Sequence, residues 1–600
     1  MTRSGKRRRH EPGARTGTPR QLDAGSRAAA VGLVVVALAA VVPYLGALGN
    51  GFAWDDLSLI VRDEALASAK GVWQRLGQDF FAASRDPASA GYWRPLVTLS
   101  FALDRAIWGL SPRGFHLTNL FLHAICAVLV VVLLRAIAVN LWVATSAGVL
   151  FALHPKHAES VAFISGRTDT LAALLVCLAM LLHLRGARTL EAGTPRDGVR
   201  GRWLHAAAVG FYLLGLLAKE MAVVMIPWLA VLHLVVERRG WRRSAVLLVP
   251  FVGATLAYLA VRLLLVQVDL PEAASVSVGA VLLTAPATFA RYLQWLVVPF
   301  GLQGFVQNPP VTSALSLRFV IGAGVLVAAS WGLVMLWRRS RPTFALGTMS
   351  VLALAPLLHV LPIKGPPDMG LVMAERFLYF ASIPFVGLLA QAAAAVTMRL
   401  SNRYRALVAG LALAGVGGWW SAMIVARVPD WRDDVTLFSV LVRDAPHSPT
   451  MVANLANAHV ERGDFAAAAA VFSRAPSSVL DQQPVLLARA QVLAADGRFA
   501  EAIPLLEAVT ASRWPGDGRA RNNLACLYRL NGRLDEATGL LEELVREGND
   551  LPETFVNLVE AFAARGEKER ASMACQQGLA RFPDDPGLVQ TCRGRERTAR

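Results

Sequence analysis

Apolar residues along this chain fall in runs, and arginine punctuates the runs. Stretches rich in Ala, Val, Leu and Gly recur at about 28–48, 117–137, 142–156, 170–185, 204–218, 221–236, 245–266, 316–337, 343–361, 377–397 and 406–425. A helix needs ~20 such residues to cross ~30 Å of hydrocarbon, so the pattern predicts about eleven membrane spans, several of them short. Basic clusters sit between them: KRRRH (6–10), RGARTL with RDGVRGR (185–202), ERRGWRR (237–243), RRSR (338–341) and RLSNRYR (399–405). With the basic segment 1–27 in the cytoplasm, the positive-inside rule puts every one of these loops there too. Two conditions make the parity work. Residues 204–236 must form a hairpin broken at Lys219-Glu220, because one helix through them would run ~50 Å. The segment ATFARYLQWLVVPF (287–300), with Arg291, Gln294 and Pro299, must lie in the interface and not cross. Eleven spans then leave the C-terminus outside.

Beyond about residue 449 the pattern changes to alternating Ala, Leu and charge, and it repeats. Gly463, Gly497, Gly532 and Gly566 close similar segments 34, 35 and 34 residues apart, the tetratricopeptide period. Four repeats are read over 449–586, after a connector at 427–448 and before a basic tail at 587–600. The predicted fold is therefore all-α: a multi-span helical domain over 28–426, with its first outer loop at 50–116, followed by an α-solenoid. Such stacks offer a concave groove suited to a peptide, though a purely structural cap is the plain alternative.

Composition agrees with this picture. Hydrophobic residues make up 55% and mean hydropathy is +0.45, values of a membrane protein. The net charge of +17 lies largely in the short basic loops, so it reports topology and excludes a nucleic-acid partner. The five cysteines include no CxxC and no Cys–His spacing, giving neither a zinc site nor a disulfide framework. The apolar run at 28–48 is longer than a signal-peptide core and more spans follow, so it reads as an uncleaved first helix.

The parity also gathers the polar motifs on one face. GFAWDDLSLI (51–60) follows the first span, and YWRPLVTLSF (92–101) shares its loop. FHLTN (115–119) opens the second span. HPKHAES (154–160) and SGRTD (165–169) lie at the outer turn between the third and fourth. AKE (218–220) tips the fifth and MAERFLY (373–379) enters the tenth. Ionisable groups at membrane depth are costly and mark sites. Asp55 and Asp56 are read either as a hydrated loop or as a base that takes a proton from an acceptor hydroxyl; an acidic pair also permits a divalent metal. Arg94, Lys219 and Arg376 are candidate phosphate anchors, against snorkelling or structural ion pairing. His154, His157 and Glu159 have a spacing that Pro155 removes from a regular helix, so hydrogen bonding is preferred and no metal ligand is assigned. Trp54, with Tyr92, Trp93 and Trp108, reads first as interface-belt aromatics and second as a sugar platform. His116, Arg167, Asp169, Glu220 and Glu375 complete the candidate cavity.

Taken in order, FAWDD, YWRPLVTLSFALDRAIWGLSPRGFHLTNLFLHA, FALHPKHAESVAFISGRTDTLAALL, LLAKE, MAERFLY and WRDDVTLF (431–438) resemble the transmembrane and tetratricopeptide-repeat-containing O-mannosyltransferase family, of the multi-span GT-C glycosyltransferase class. The resemblance covers roughly 28–580. It implies transfer of mannose or another hexose from a polyprenyl-phosphate donor to Ser or Thr of a polypeptide acceptor on the extracytoplasmic face. Asp55 or Asp56 matches the expected base. Animal members carry longer arrays, and the Ala- and Arg-rich composition suits a bacterial inner-membrane member with periplasmic repeats; a eukaryotic one would place them in a lumen. The rival readings are a transferase acting on an envelope lipid or glycan, and a non-enzymatic membrane scaffold.

Overall fold

The computed structural model describes residues 19–83, 91–191, 194–266, 276–301, 306–359, 370–398, 400–511, 517–548, 551–583 and 585–598. The basic cluster at 6–10 lies outside the described residues. Among the described residues the chain is helical, with no strand and two isolated bridges, Val306 to Met373 and Asn308 to Gly370.

Nine described helices are long and apolar enough to cross a membrane: Ser26–Gly49, Pro112–Ala136, Ile164–Glu191, Pro195–Ala218, Trp241–Leu265, Leu317–Arg339, Arg341–Leu358, Glu375–Thr397 and Arg403–Trp431. Two shorter apolar segments, Leu141–Ala152 and Glu220–Val236, fill the remaining places, so each of the eleven runs corresponds to a helical segment. The hairpin at 204–236 is real. Helix Pro195–Ala218 stops at Lys219, whose backbone is extended (φ −160°, ψ 134°), and a 3-10 turn at Glu220–Val224 starts the return. The segment expected at the interface is part of helix Val278–Val297, which is not among the nine. Its buried residues Phe289, Tyr292, Trp295 and Leu296 fall on one face. A Cβ at Gly322 of helix Leu317–Arg339 would stand 2.4 Å from the Pro286 carbonyl carbon, so the close crossing of these two helices requires glycine.

Burial sorts the helices. Ile164–Glu191 and Glu375–Thr397 are mostly enclosed, whereas Leu317–Arg339 is almost wholly exposed on its apolar sides, as a lipid-facing helix is. Trp142, Trp203 and Trp241 are 77, 74 and 70% exposed in or beside the loops read as cytoplasmic, where amphipathic rings form a headgroup belt.

The repeats are four helix pairs: Pro449–Glu461 with Phe465–Arg474, Gln483–Ala495 with Phe499–Thr510, Gly518–Leu530 with Leu534–Glu547, and Pro552–Ala564 with Lys568–Arg581. Each pair turns at its glycine, with φ of 75, 78, 80 and 79° at Gly463, Gly497, Gly532 and Gly566. That left-handed conformation ends a helix at no cost only for glycine. Helix Asp434–Asp444, inside the expected connector, packs against the first repeat through Leu441, Met451 and Leu455. The stretch read as a basic tail is also different: Pro586–Thr598 is helical, and Leu588 and Cys592 bury against Phe555. One cysteine reading is corrected as well. Cys575 and Cys592, separated by 17 residues, form a disulfide with Cα atoms 5.7 Å apart; they lie on facing helices, a pairing that sequence spacing does not encode.

Candidate active site

The polar motifs do meet at one end of the bundle, and four of them sit where a helix is interrupted, while FHLTN lies within the continuous helix Pro112–Ala136. Pro155–His157, Ile164–Gly166, Glu220–Val224 and Glu375–Phe377 are all short 3-10 turns. Proline at 155 and glycine at 166 break the helical register, and the tight turns aim consecutive side chains inward. A Cβ at Gly166 would lie 2.7 Å from the Glu159 carbonyl oxygen, so this chain crossing is also glycine-dependent.

The two adjacent acids have different surroundings. Asp56 is buried, and its Oδ1 accepts both the amide (2.8 Å) and the hydroxyl (2.5 Å) of Ser165, while Oδ2 accepts the Ala53 amide at 3.2 Å. Burial pushes its carboxyl up to about 7, and the Ser165 and Ala53 donors pull the other way. Asp55 remains partly exposed, and its carboxylate accepts no hydrogen bond from the described residues. Burial raises it to about 6, opposed by the positive charges of Arg376 and Arg94. Between them, Asp56 is tied down on both oxygens and Asp55 is left available.

The three candidate anchors are all paired. Arg94 reaches Glu220 at 2.8 Å and stacks 4.5 Å above the Tyr92 ring. Lys219 meets Asp169 at 2.6 Å, both buried. The Arg376 amide donates to Glu159 at 2.9 Å, and its guanidinium pairs with the same carboxylate. A fourth pair, Lys156 with Glu375 at 2.8 Å, is wholly enclosed. Lys219 and Arg376 therefore bond to acids remote in sequence, not to their neighbours Glu220 and Glu375.

Other candidates hold the framework together. Arg167 is fully buried; it donates to Asp104 at 2.5 Å, Asn119 at 2.8 Å and the Phe115 carbonyl at 3.0 Å. His116 contacts the Gly51 carbonyl at 3.3 Å, His154 the Leu296 carbonyl at 3.3 Å, and His157 the Ser382 hydroxyl at 2.9 Å. Trp54 stacks on Phe163 with centroids 6.3 Å apart. Among the described residues no group of three His, Cys, Asp or Glu side chains is placed to hold a metal. Sequence reasoning quoted the SGRTD stretch without singling out Ser165, and it missed Lys156 and Asp434. Asp434 accepts the Trp54 amide at 2.5 Å and lies in the WRDD stretch, which was itself visible.

The fold and this cluster define a multi-pass membrane protein carrying a tetratricopeptide array. A tetratricopeptide repeat model matches residues 435–483 and 487–552. The chain is 34% identical over 322 residues to protein O-mannosyl-transferase Tmtc2 of Drosophila melanogaster, covering 49% of this chain and 33% of that protein. It is 35% identical over 164 residues to Tmtc1 of the same fly (27% and 19%) and 34% identical over 148 residues to TMTC2 of Homo sapiens (24% and 18%). The matches thus span a third or less of each relative's length. No solved structure matches the chain significantly. By name these relatives are protein O-mannosyl-transferases, as the resemblance of the sequence motifs implies. The relatives named are animal proteins and lend no support to a bacterial origin.

Proposed function

We propose that this protein is a membrane glycosyltransferase of the GT-C type that moves mannose, or a closely related hexose, from a polyprenyl phosphate to Ser or Thr hydroxyls of a polypeptide on the extracytoplasmic side. The observation that carries this reading is the placement of the Asp55 carboxylate, between the tethered residues Trp54 and Asp56 and within the field of Arg376 and Arg94, with no hydrogen bond to it among the described residues.

In this mechanism Asp55 takes the proton of the acceptor hydroxyl. The oxygen attacks the anomeric carbon from one side as the bond from that carbon to the phosphate oxygen breaks on the other. The electron pair leaves with the polyprenyl phosphate, and the configuration inverts. A base with a pKa near the working pH suits proton transfer, and a value of about 6 meets that requirement. Arg94, Lys219 and Arg376 offset the charge gathering on the departing phosphate. Because each already faces an acid, the phosphate shares these cations with Glu220, Asp169 and Glu159. The buried rings of His154 and His157, bonded to the Leu296 carbonyl and the Ser382 hydroxyl, brace the turn that carries Glu159. The repeats hold the acceptor polypeptide.

Two features support the outward orientation. The parity of the apolar runs puts the arginine-bearing loops on the opposite side, as the positive-inside rule expects, and a disulfide between Cys575 of the last repeat and Cys592 of the helix after it suits an oxidising compartment. The test is transfer of radiolabelled sugar from a panel of polyprenyl-phosphate monosaccharides in membranes containing the protein, with protein and lipid fractions counted separately. Label in protein from the mannosyl donor is expected. Label confined to the lipid fraction would contradict the polypeptide acceptor, and none in either would contradict transfer itself.

A further inference from the structure

The loop that carries Asp55 is gripped from two directions, and one grip comes from the repeat side of the molecule. On the membrane side Asp56 binds Ser165 and the Trp54 ring lies on Phe163. On the other side the chain entering the repeats supplies three bonds. The Val428 carbonyl accepts from the Asn50 amide group at 2.9 Å, the Arg432 carbonyl accepts the Gly51 amide at 2.8 Å, and the Asp434 carboxylate accepts the Trp54 amide at 2.5 Å. Gly51 sits so close that a Cβ there would be 3.1 Å from the Arg432 oxygen. Further out, Arg62 of this loop pairs with Glu461 of the first repeat at 2.5 Å, and Arg462 of that repeat pairs with Asp433 of the connector at 2.6 Å.

Trp54 is the informative residue. Its φ is 52°, a left-handed conformation that a bulky side chain adopts only when its surroundings impose it. The Asp434 carboxylate, at the first turn of helix Asp434–Asp444, accepts the one amide whose direction that conformation sets. The next residue is Asp55. Releasing the Trp54 amide lets its backbone return toward an ordinary φ, which swings the carboxylate of Asp55 away from its present place.

We propose that Asp434 is a positioning residue for transfer: by accepting the Trp54 amide it fixes the left-handed turn that presents Asp55, so the connector helix that packs on the first repeat is part of the active-site framework. This rests on Asp55 being the base. A misplacement of about 1 Å at a reacting group costs about 100-fold in rate, and that is the size of effect expected.

The experiment compares full-length wild type, Asp434→Ala, Asp434→Asn and Asp55→Asn in membranes at matched abundance, using mannosyl-phosphopolyprenol and endogenous protein as acceptor. Monodisperse elution in detergent checks folding. Asparagine keeps an acceptor oxygen for the Trp54 amide but drops the charge. The proposal expects Asp434→Ala to lose about 100-fold in kcat with an unchanged KM for the donor, and Asp434→Asn to stay within about threefold of wild type. Both variants remove the Asp434 charge, so a loss of rate at the pH optimum that only alanine shows isolates positioning. Wild-type rates in Asp434→Ala, with Asp55→Asn inactive, would overturn the role of Asp434 and leave the base in place. Equal losses in the alanine and asparagine variants would also overturn it, because charge and not the amide bond would then matter. An active Asp55→Asn would remove the base and this proposal together.

Discussion

Asp56 and Ser165 are 109 residues apart in sequence, yet one carboxylate oxygen of Asp56 accepts both the amide and the hydroxyl of Ser165. This contact fastens the first outer loop to the turn between the third and fourth spans. It also divides the work of two adjacent acids, since the neighbour so engaged has no oxygen to spare for a substrate.

Substitution should separate the two. In Asp56→Asn one oxygen can still accept from Ser165, but the new amide group then faces the Ala53 N–H, donor against donor. Leaving a buried donor unsatisfied costs about 1–3 kcal/mol. The expected outcome is a lower melting temperature in detergent and less folded protein, with transfer per folded molecule largely kept. A melting curve combined with active-fraction counting checks this.

The acidic limb of the rate profile should report Asp55. Its carboxyl is raised to about 6, chiefly by burial, and only the ionised form accepts a proton. The rate should therefore fall about tenfold per pH unit below 6. Stability should run the other way. Both acids titrate higher in the folded protein than in the unfolded chain, so between about pH 4 and 7 the folded state binds more protons and these groups lose stability as pH rises. Parallel rate and melting measurements across that window test both signs.

Arg376 and Glu159 test how far the outer cations are structural. Arg376→Gln leaves the buried Glu159 carboxylate without its guanidinium, and breaking a buried pair from one side costs about 3–5 kcal/mol. Adding Glu159→Gln should recover much of that stability without restoring transfer, because the cation facing the phosphate is still missing. A double-mutant cycle in melting temperature, run beside the transfer assay, distinguishes the two effects.

Gly166→Ala probes the turn that presents Ser165. The added methyl would meet backbone atoms of Glu159 and Ser160 at 2.7 and 2.8 Å, and neither can rotate away. Overpacking of this kind costs about 1–3 kcal/mol. Reduced stability and reduced transfer are expected together, measured by thermal melting and initial rate.

Much of the architecture was legible because it is written in local periodicities. The spacing of Arg clusters, the break at Lys219-Glu220 and the glycines near 34-residue intervals each carry their signal within a few residues. Long-range pairings carry none. Lys219 adjoins Glu220 and Arg376 adjoins Glu375, but the turns point each away from its neighbour, toward Asp169 and Glu159. The choice between Asp55 and Asp56 depends on Ser165, and the strain at Trp54 on Asp434, both far along the chain. The Cys575–Cys592 bond was hidden for the same reason. Two helices had to stack before the thiols faced each other.

The most direct measurement is the single-turnover rate of labelled mannose transfer from mannosyl-phosphopolyprenol by Asp55→Asn, with Asp56→Asn and wild type alongside and each normalised to folded, membrane-inserted protein. The account predicts that Asp55→Asn loses at least about 100-fold, the scale of a general base, while Asp56→Asn keeps most of its rate per folded molecule. Wild-type turnover in Asp55→Asn, or loss in Asp56→Asn alone, would contradict the assignment of Asp55 as the base.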